Sequence, residues 1–163
     1  MLTKVSITRI VRLTTDDWER LRALRLRSLL DAPDAFGATY AEAAARERDG
    51  WLQQLRDLPT FVAVSDQNVD VGIVRYAPDG MLISMWVAPE ARHQGIGEAL
   101  IDAIIAYART QGLARLLLDV ADHNVAAIAL YSKKGFVPTG ETGSMPAPRE
   151  HVREHRRFLD LRG

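Results

Sequence analysis

The sequence predicts a mixed α/β fold of about seven strands flanked by about four helices. Three observations carry this. Short apolar runs bounded by turn residues alternate with longer stretches of helical periodicity. The apolar run Met81–Val87, the helical stripe after it and the second apolar run Arg115–Val120 read as one βαβ unit. The length, 163 residues, is that of one domain large enough to bury its own core.

Taken in order, Val5, Ile7 and Ile10 to Leu13 predict a first strand. Thr14 and Thr15 are capping residues, and Asp16 and Asp17 suit a first helical turn, where carboxylates meet the positive end of the helix dipole. Trp18, Leu21, Leu24, Ser28 and Leu29 recur at helical spacing, and Arg20, Arg22, Arg25 and Arg27 between them read as a solvated face. Asp31-Ala32-Pro33-Asp34 ends that helix. Ala41 to Leu58, rich in Ala, Glu, Arg and Leu, predicts a second one. Thr60 to Ser65, Val71 to Tyr76 and Met81 to Val87, separated by turn clusters, predict an antiparallel meander. After a loop from Pro89 to Gly97, the residues Leu100, Ile101, Ile104, Ile105 and Ala108 form one helical stripe that Gly112 stops. Arg115 to Val120 is near-continuously apolar, as expected of a strand buried on both faces. Asn124 opens a further helix that runs through Tyr131 to Lys134 and stops at Gly135. Phe136 and Val137 begin a strand, Thr139 to Glu150 reads as a loop because of its Gly and Pro content, and Arg153 to Leu161 is a last strand.

Composition excludes several function classes. Lys plus Arg equals Asp plus Glu, at 21 each. Duplex nucleic acid is bound largely through excess basic charge, so no nucleic-acid partner is expected. There is no cysteine, which excludes a disulfide framework, a thiolate zinc site and a cysteine nucleophile. His93, His123, His151 and His155 have no metal-ligand spacing, so no metal is expected. Met1 to Ile10 alternates polar and apolar residues without the apolar stretch of a signal peptide. No uncharged apolar run approaches the roughly 18 residues of a membrane span. The expectation is a cytoplasmic protein with no membrane partner.

The segment Arg92-His93-Gln94-Gly95-Ile96-Gly97 lies between a strand and a helix. A helix N-terminus leaves backbone N–H groups unpaired and carries partial positive charge, and glycine lets the backbone approach a phosphate closely. Together these suit a pyrophosphate, and they let a neutral protein hold a polyanion without a basic surface. A Walker A loop is absent, and the dinucleotide pattern G-x-G-x-x-G fails because Gly97 is followed by Glu98-Ala99-Leu100.

The whole run Val87 to Leu100 resembles motif A of the GNAT superfamily of acyl-CoA-dependent N-acetyltransferases, whose signature Gln/Arg-x-x-Gly-x-Gly/Ala is met by Arg92, Gly95 and Gly97. Asn124, Ala127, Tyr131 and Gly135-Phe136 resemble its motif B. The resemblance implies the superfamily's fold over almost the whole chain, with a V-shaped splay between the strands at 81–87 and 115–120. It implies acetyl-CoA as cosubstrate, its pantetheine arm along Met85, Trp86 and Val87. The pyrophosphate would lie on the amides of Gln94, Gly95, Ile96 and Gly97, near His93 and Glu98, with Arg92 adding charge. A side chain at Gly95 or Gly97 would meet the pyrophosphate or force the turn out of shape. The implied reaction is direct attack of a small-molecule or peptide amine on the thioester, with an oxyanion held by a backbone N–H near Trp86 or Val87. Tyr131 would be the acid for the departing thiolate, and Asn124 would both cap its helix and contact the cosubstrate. The carboxylate base that many members carry on the strand is replaced by Ser84 and Met85. Glu42 is the candidate base, with Glu141 and Asp119 or a water chain as alternatives. Phe36, Tyr40, Trp51 and Glu141 are the candidate acceptor-side residues. The resemblance also implies a homodimer, and the last strand would present the edge for it. The alternative function is a non-catalytic acyl-CoA sensor on the same fold.

Overall fold

The computed structural model describes residues 6–162. Val5, read as part of the first strand, and the opening of the segment Met1 to Ile10 lie outside the described residues. The strands are β1 (Ile7–Arg12), β2 (Thr60–Ser65), β3 (Asp70–Ala77), β4 (Met81–Val87), β5 (Arg115–Ala121), β6 (Val137–Ser144) and β7 (Arg153–Asp160). The helices are α1 (Trp18–Asp31), α2 (Tyr40–Ala45), α3 (Arg48–Asp57), α4 (Ile96–Thr110) and α5 (Val125–Lys133). They form one seven-stranded mixed sheet in the order β1-β2-β3-β4-β5-β7-β6, with the meander and the βαβ unit as the sequence predicts.

Alternation along β3 sorts the helices onto two faces. Gly72 lies against Leu100 and Ile96 of α4, and Tyr76 meets Tyr107 of α4 edge-on at 5.1 Å. Arg75 points the other way and donates to Gln54 of α3 at 2.7 Å. The stripe Ile96, Leu100, Ile101, Ile104, Ile105 and Ala108 is buried along α4, which Gly112 stops in the left-handed region at φ +72°.

The parallel pair β4 and β5 meets at one position, Met81 opposite Leu117, with the Leu117 N–H donating to the Gly80 carbonyl at 2.8 Å. Beyond it the two strands separate and leave the splayed cleft. β5 is not buried on both faces. Leu116, Leu118 and Val120 are buried while Asp119 is exposed, because the other face of the strand looks toward this opening.

Four further expectations change. The single helix over Ala41 to Leu58 is two, interrupted where Arg46 and Glu47 are extended. Helix propensity is high throughout, but packing prevails: the break lets the fully buried Trp51 indole donate to the Arg46 carbonyl at 3.2 Å. The first half of the proposed loop, up to Ser144, is strand. Gly140, at φ +93°, sits inside a register shift between Pro138 and Thr142, so its Gly and Pro mark a bulged edge strand. The last strand is not an edge, because β7 lies between β5 and β6 and the edge falls to β6. Finally, the arginines of α1 are a solvated face only in part. Arg20 pairs with Asp70 at 2.7 Å, Arg27 with Glu90 at 2.6 Å, and Arg25 is buried at 4% exposure.

Candidate active site

The splay between β4 and β5 opens a cleft whose lining includes Phe36, Ser84, Met85, Asp119, Asn124 and Tyr131. Each wall follows from a local feature. β4 carries a register irregularity opposite β3, and Ser84 at its centre adopts φ +59°, a conformation rare for a residue with a Cβ. Asn124 caps α5, its side chain accepting from the Ala127 N–H at 3.2 Å, and this orients the helix along the cleft. Tyr131 lies two turns in, 6% exposed, its ring against Phe136 at 5.8 Å. Burial pushes its phenol above the ordinary tyrosine range, so the proton stays on the oxygen.

At the start of α4, Gly95 is the N-cap at φ +80°, and the backbone N–H groups of Gln94, Gly95, Ile96, Gly97 and Glu98 have no acceptor among the described residues. A β-carbon on Gly97 would stand 2.8 Å from Leu130 Cδ2 and 3.3 Å from Met85 Cε. Gly97 therefore admits α5 and β4 against α4, next to Met85 and Leu130, which line the cleft. Glu98 and Lys133 join the two helices at 3.1 Å, and Asp102 and Lys134 at 2.7 Å. Replacing Gly95 or Gly97 with valine is expected to weaken acetyl-CoA binding at least about tenfold, or about 1.4 kcal/mol. The Gly95 variant strains the turn, while the Gly97 variant also costs stability through Leu130. Calorimetry with acetyl-CoA checks both, and unchanged affinity in both would remove this turn from cosubstrate binding.

The other candidates divide. Met85 and Phe36 line the cleft. The Trp86 side chain turns away from it, buried against α1 with its indole N–H donating to Asp31 at 2.9 Å. Arg92 is not a free charge over the turn: it donates to the Val87 carbonyl at 3.0 Å and ion-pairs with Asp31, so it braces β4 against α1. His93 is exposed and Ile96 belongs to the core of α4. Gln94 lies part-buried beside the Glu90 carbonyl.

Four acceptor-side expectations are corrected. Glu42 is exposed in the first turn of α2 and takes no part in the cleft lining, because the buried face of α2 is that of Ala43. Tyr40 is 41% exposed and also absent from the lining. Trp51 is at 0% exposure in the core and can touch no substrate. Glu141 is exposed on β6, 3.7 Å from Arg156. Asp119 is the one carboxylate of the cleft lining among the described residues, and Arg156 holds both its oxygens at 2.9 and 3.1 Å. Glu154, paired across β7 to Ala121, has its carboxyl raised by burial and then by the charge of Asp119.

Sequence reasoning missed Arg149. Its guanidinium reaches from the β6–β7 loop to the α1–α2 loop and donates to the carbonyls of Pro33 at 2.6 Å, Gly37 at 2.7 Å and Phe36. It ties together two loops more than 110 residues apart in sequence. Nothing local marks such an arginine. Among the described residues no group of three or more His, Asp or Glu is placed to hold a metal, and no helix is long and apolar enough to cross a membrane.

A model of the acetyltransferase (GNAT) family matches residues 10–136, which span the meander, the α4 turn and α5. The chain belongs to the GNAT family of acetyltransferases. It is 30% identical over 130 residues to the mycothiol acetyltransferase of Stackebrandtia nassauensis, covering 74% of this chain and 41% of that protein. It is 38% identical over 91 residues to human N-acetyltransferase 8, covering 50% of this chain and 40% of that protein. The chain thus spans about two fifths of the length of these curated relatives. Among solved structures, yncA of Salmonella typhimurium with its cofactor acetyl-CoA superposes with a TM-score of 0.77 at 17% identity, over 99% of this chain and 96% of that one. At that identity the likeness is one of fold. The GNAT fold explains why the βαβ unit, with its splay and its glycine turn, is the most legible part of the sequence.

Proposed function

We propose that this GNAT chain transfers an acetyl group from acetyl-CoA to the primary amine of a small molecule or peptide, by direct attack within one domain. The observation that carries the reading is a cleft lined by the buried Tyr131 and by Met85 and Leu130, the two side chains that lie against Gly97 beside the free amides at the start of α4. The residues present fit the cosubstrate. The N-terminal amides of α4 suit a pyrophosphate, and the edge of β4 facing β5 is left unpaired beyond Met81 for an extended, amide-bearing arm. Acetyl-CoA supplies the acyl group as a thioester, already activated toward an amine.

The protein's part is to orient and to move protons. Backbone N–H groups of β4 near Trp86 or Val87 stabilise negative charge on the carbonyl oxygen. Tyr131 keeps a phenolic proton at neutral pH and donates it to the departing sulfur. Asp119 replaces Glu42 as the candidate base, directly or through water. Arg156, which holds both its oxygens, fixes its orientation in the cleft.

Incubation with acetyl-CoA and an amine panel, with release of free thiol followed, tests this reading. Release without an acceptor-dependent increase, or none at all, would leave a sensor rather than a transferase. A homodimer belongs to the same reading, now through the β6 edge. A dimer mass in static light scattering at micromolar concentration is expected, and a monomer mass would remove it.

A further inference from the structure

Three arginines lie on the α1–α3 face of the sheet, behind the acceptor side of the cleft. Arg25 of α1 is 4% exposed, its guanidinium 5.2 Å from the centre of the Phe36 ring, and its Nη1 is buried with no hydrogen-bond acceptor. Arg75 of β3 is 5% exposed and bonds two neutral partners, Ser84 Oγ at 2.9 Å and Gln54 Oε1 at 2.7 Å. Arg46, at the break between α2 and α3, lies 4.9 Å from the centre of the Trp51 ring. None of the three has a carboxylate within salt-bridge distance, although every Asp and Glu of the sequence lies among the described residues.

A buried charge without a counter-ion is costly, and like charges add to the cost. The guanidinium groups register it: burial, with the charge of Arg46, lowers Arg25 to about 10, and burial, with the charges of Arg25 and Arg46, lowers Arg75 well below the ordinary arginine value. Other arginines of this chain do meet carboxylates, as at Asp70, Glu90, Asp31 and Asp119. Arg149 is also buried without a carboxylate, but three loop carbonyls take up its donors; Arg25 has no such acceptor, and with Arg75 it adjoins the cleft. Ser84, which holds Arg75, and Phe36, which covers Arg25, are both lining residues.

We infer that the acceptor amine carries a carboxylate, which the Arg25–Arg75 pair receives behind Ser84 and Phe36 while the amine faces the Tyr131 end of the cleft. This rests on the acetyl-transfer reading above and names its substrate class: a free amino acid or a close analogue. Planar guanidinium forks match a carboxylate in a bidentate way, and the unused Arg25 Nη1 is a donor for it. An anion there would supply the missing counter-charge, so the site binds best what the empty fold lacks. A polyamine, with no anion, would instead add positive charge beside three arginines.

The test uses matched acceptors in the thiol-release assay: L-methionine against 3-(methylthio)propylamine, and L-phenylalanine against 2-phenylethylamine. O-phosphoethanolamine and taurine serve as phosphate and sulfonate arms. The carboxylate member of a pair is expected to have at least about tenfold higher kcat/KM, equivalent to about 1.4 kcal/mol. Arg25→Met and Arg75→Met are expected to collapse that ratio, chiefly through KM. Because the ratio is taken within one variant, partial loss of folded protein does not move it. Transfer to both members at equal rates would overturn the inference and leave the acetyl-transfer reading standing. So would a preference that survives both substitutions, or faster turnover of the phosphate or sulfonate arm than of either amino acid. If no acceptor turns over, the acetyl-transfer reading fails separately. Thermal shift of the CoA-loaded chain then decides: a larger shift with the acids than with their amines supports the anion site, and no difference overturns it.

Discussion

Tyr131→Phe is expected to lower turnover about 10²-fold, the low end of general-acid effects. Acetyl-CoA affinity and unfolding free energy should stay within about 1 kcal/mol of the parent, since no buried partner is orphaned. The substitution keeps the ring and its edge contact with Phe136, and removes only an oxygen that makes no hydrogen bond among the described residues. The pH profile carries the same information with a definite sign. Burial disfavours the phenolate, so the pKa moves up and the acid form persists as pH rises through the ordinary tyrosine value of about 10. No fall in kcat is therefore expected up to that pH from this group. Single-turnover measurement checks the substitution without interference from product release. A parent-like rate there would reduce Tyr131 to a packing residue.

Trp51→Ala is expected to cost about 3–5 kcal/mol of stability, the range for deleting a large buried aromatic. Trp51 is among the largest fully buried side chains of the core, on α3 where it packs toward α1. Its loss would also leave the Arg46 carbonyl without the indole donor and the Arg46 guanidinium without a ring beneath it. Trp51→Phe keeps most of the volume and loses the hydrogen bond, for a smaller cost of about 1–2 kcal/mol. Urea unfolding distinguishes them, read as a shift in midpoint at constant m-value. A cost below about 1 kcal/mol for the alanine variant would put Trp51 outside the core. The same substitution bears on function only indirectly, because the indole fixes where the chain breaks between α2 and α3 and thus where Arg46 is placed.

The sequence by itself determined the elements whose signals are local. The α4 turn needs glycine where φ is +80° at Gly95, and the stripe along α4 repeats at helical spacing because one face must be buried. Asn124 and Gly135 delimit α5 by capping and by a positive φ, so the positions of Asn124 and Tyr131 on that helix followed from chemistry within a few residues. The meander was legible for the same reason, its turns being short and its strands near-continuous apolar runs. What only the tertiary structure decided were the side chains whose surroundings come from distant segments. Trp51 looked like an acceptor-side aromatic and is core, because α3 packs on α1 and brings it into the main hydrophobic cluster. Glu42 looked like a base and faces outward, because the buried face of α2 is that of Ala43. Arg92 looked like a phosphate ligand and is spent on Asp31, 61 residues earlier. Arg25 read as one of four solvated arginines on a helix face, yet it meets Phe36 and lies within reach of the charge of Arg46 only once α1 packs on β3. Periodicity reports which face of an element is apolar, but not which charged side chain the packing of other elements will deprive of water.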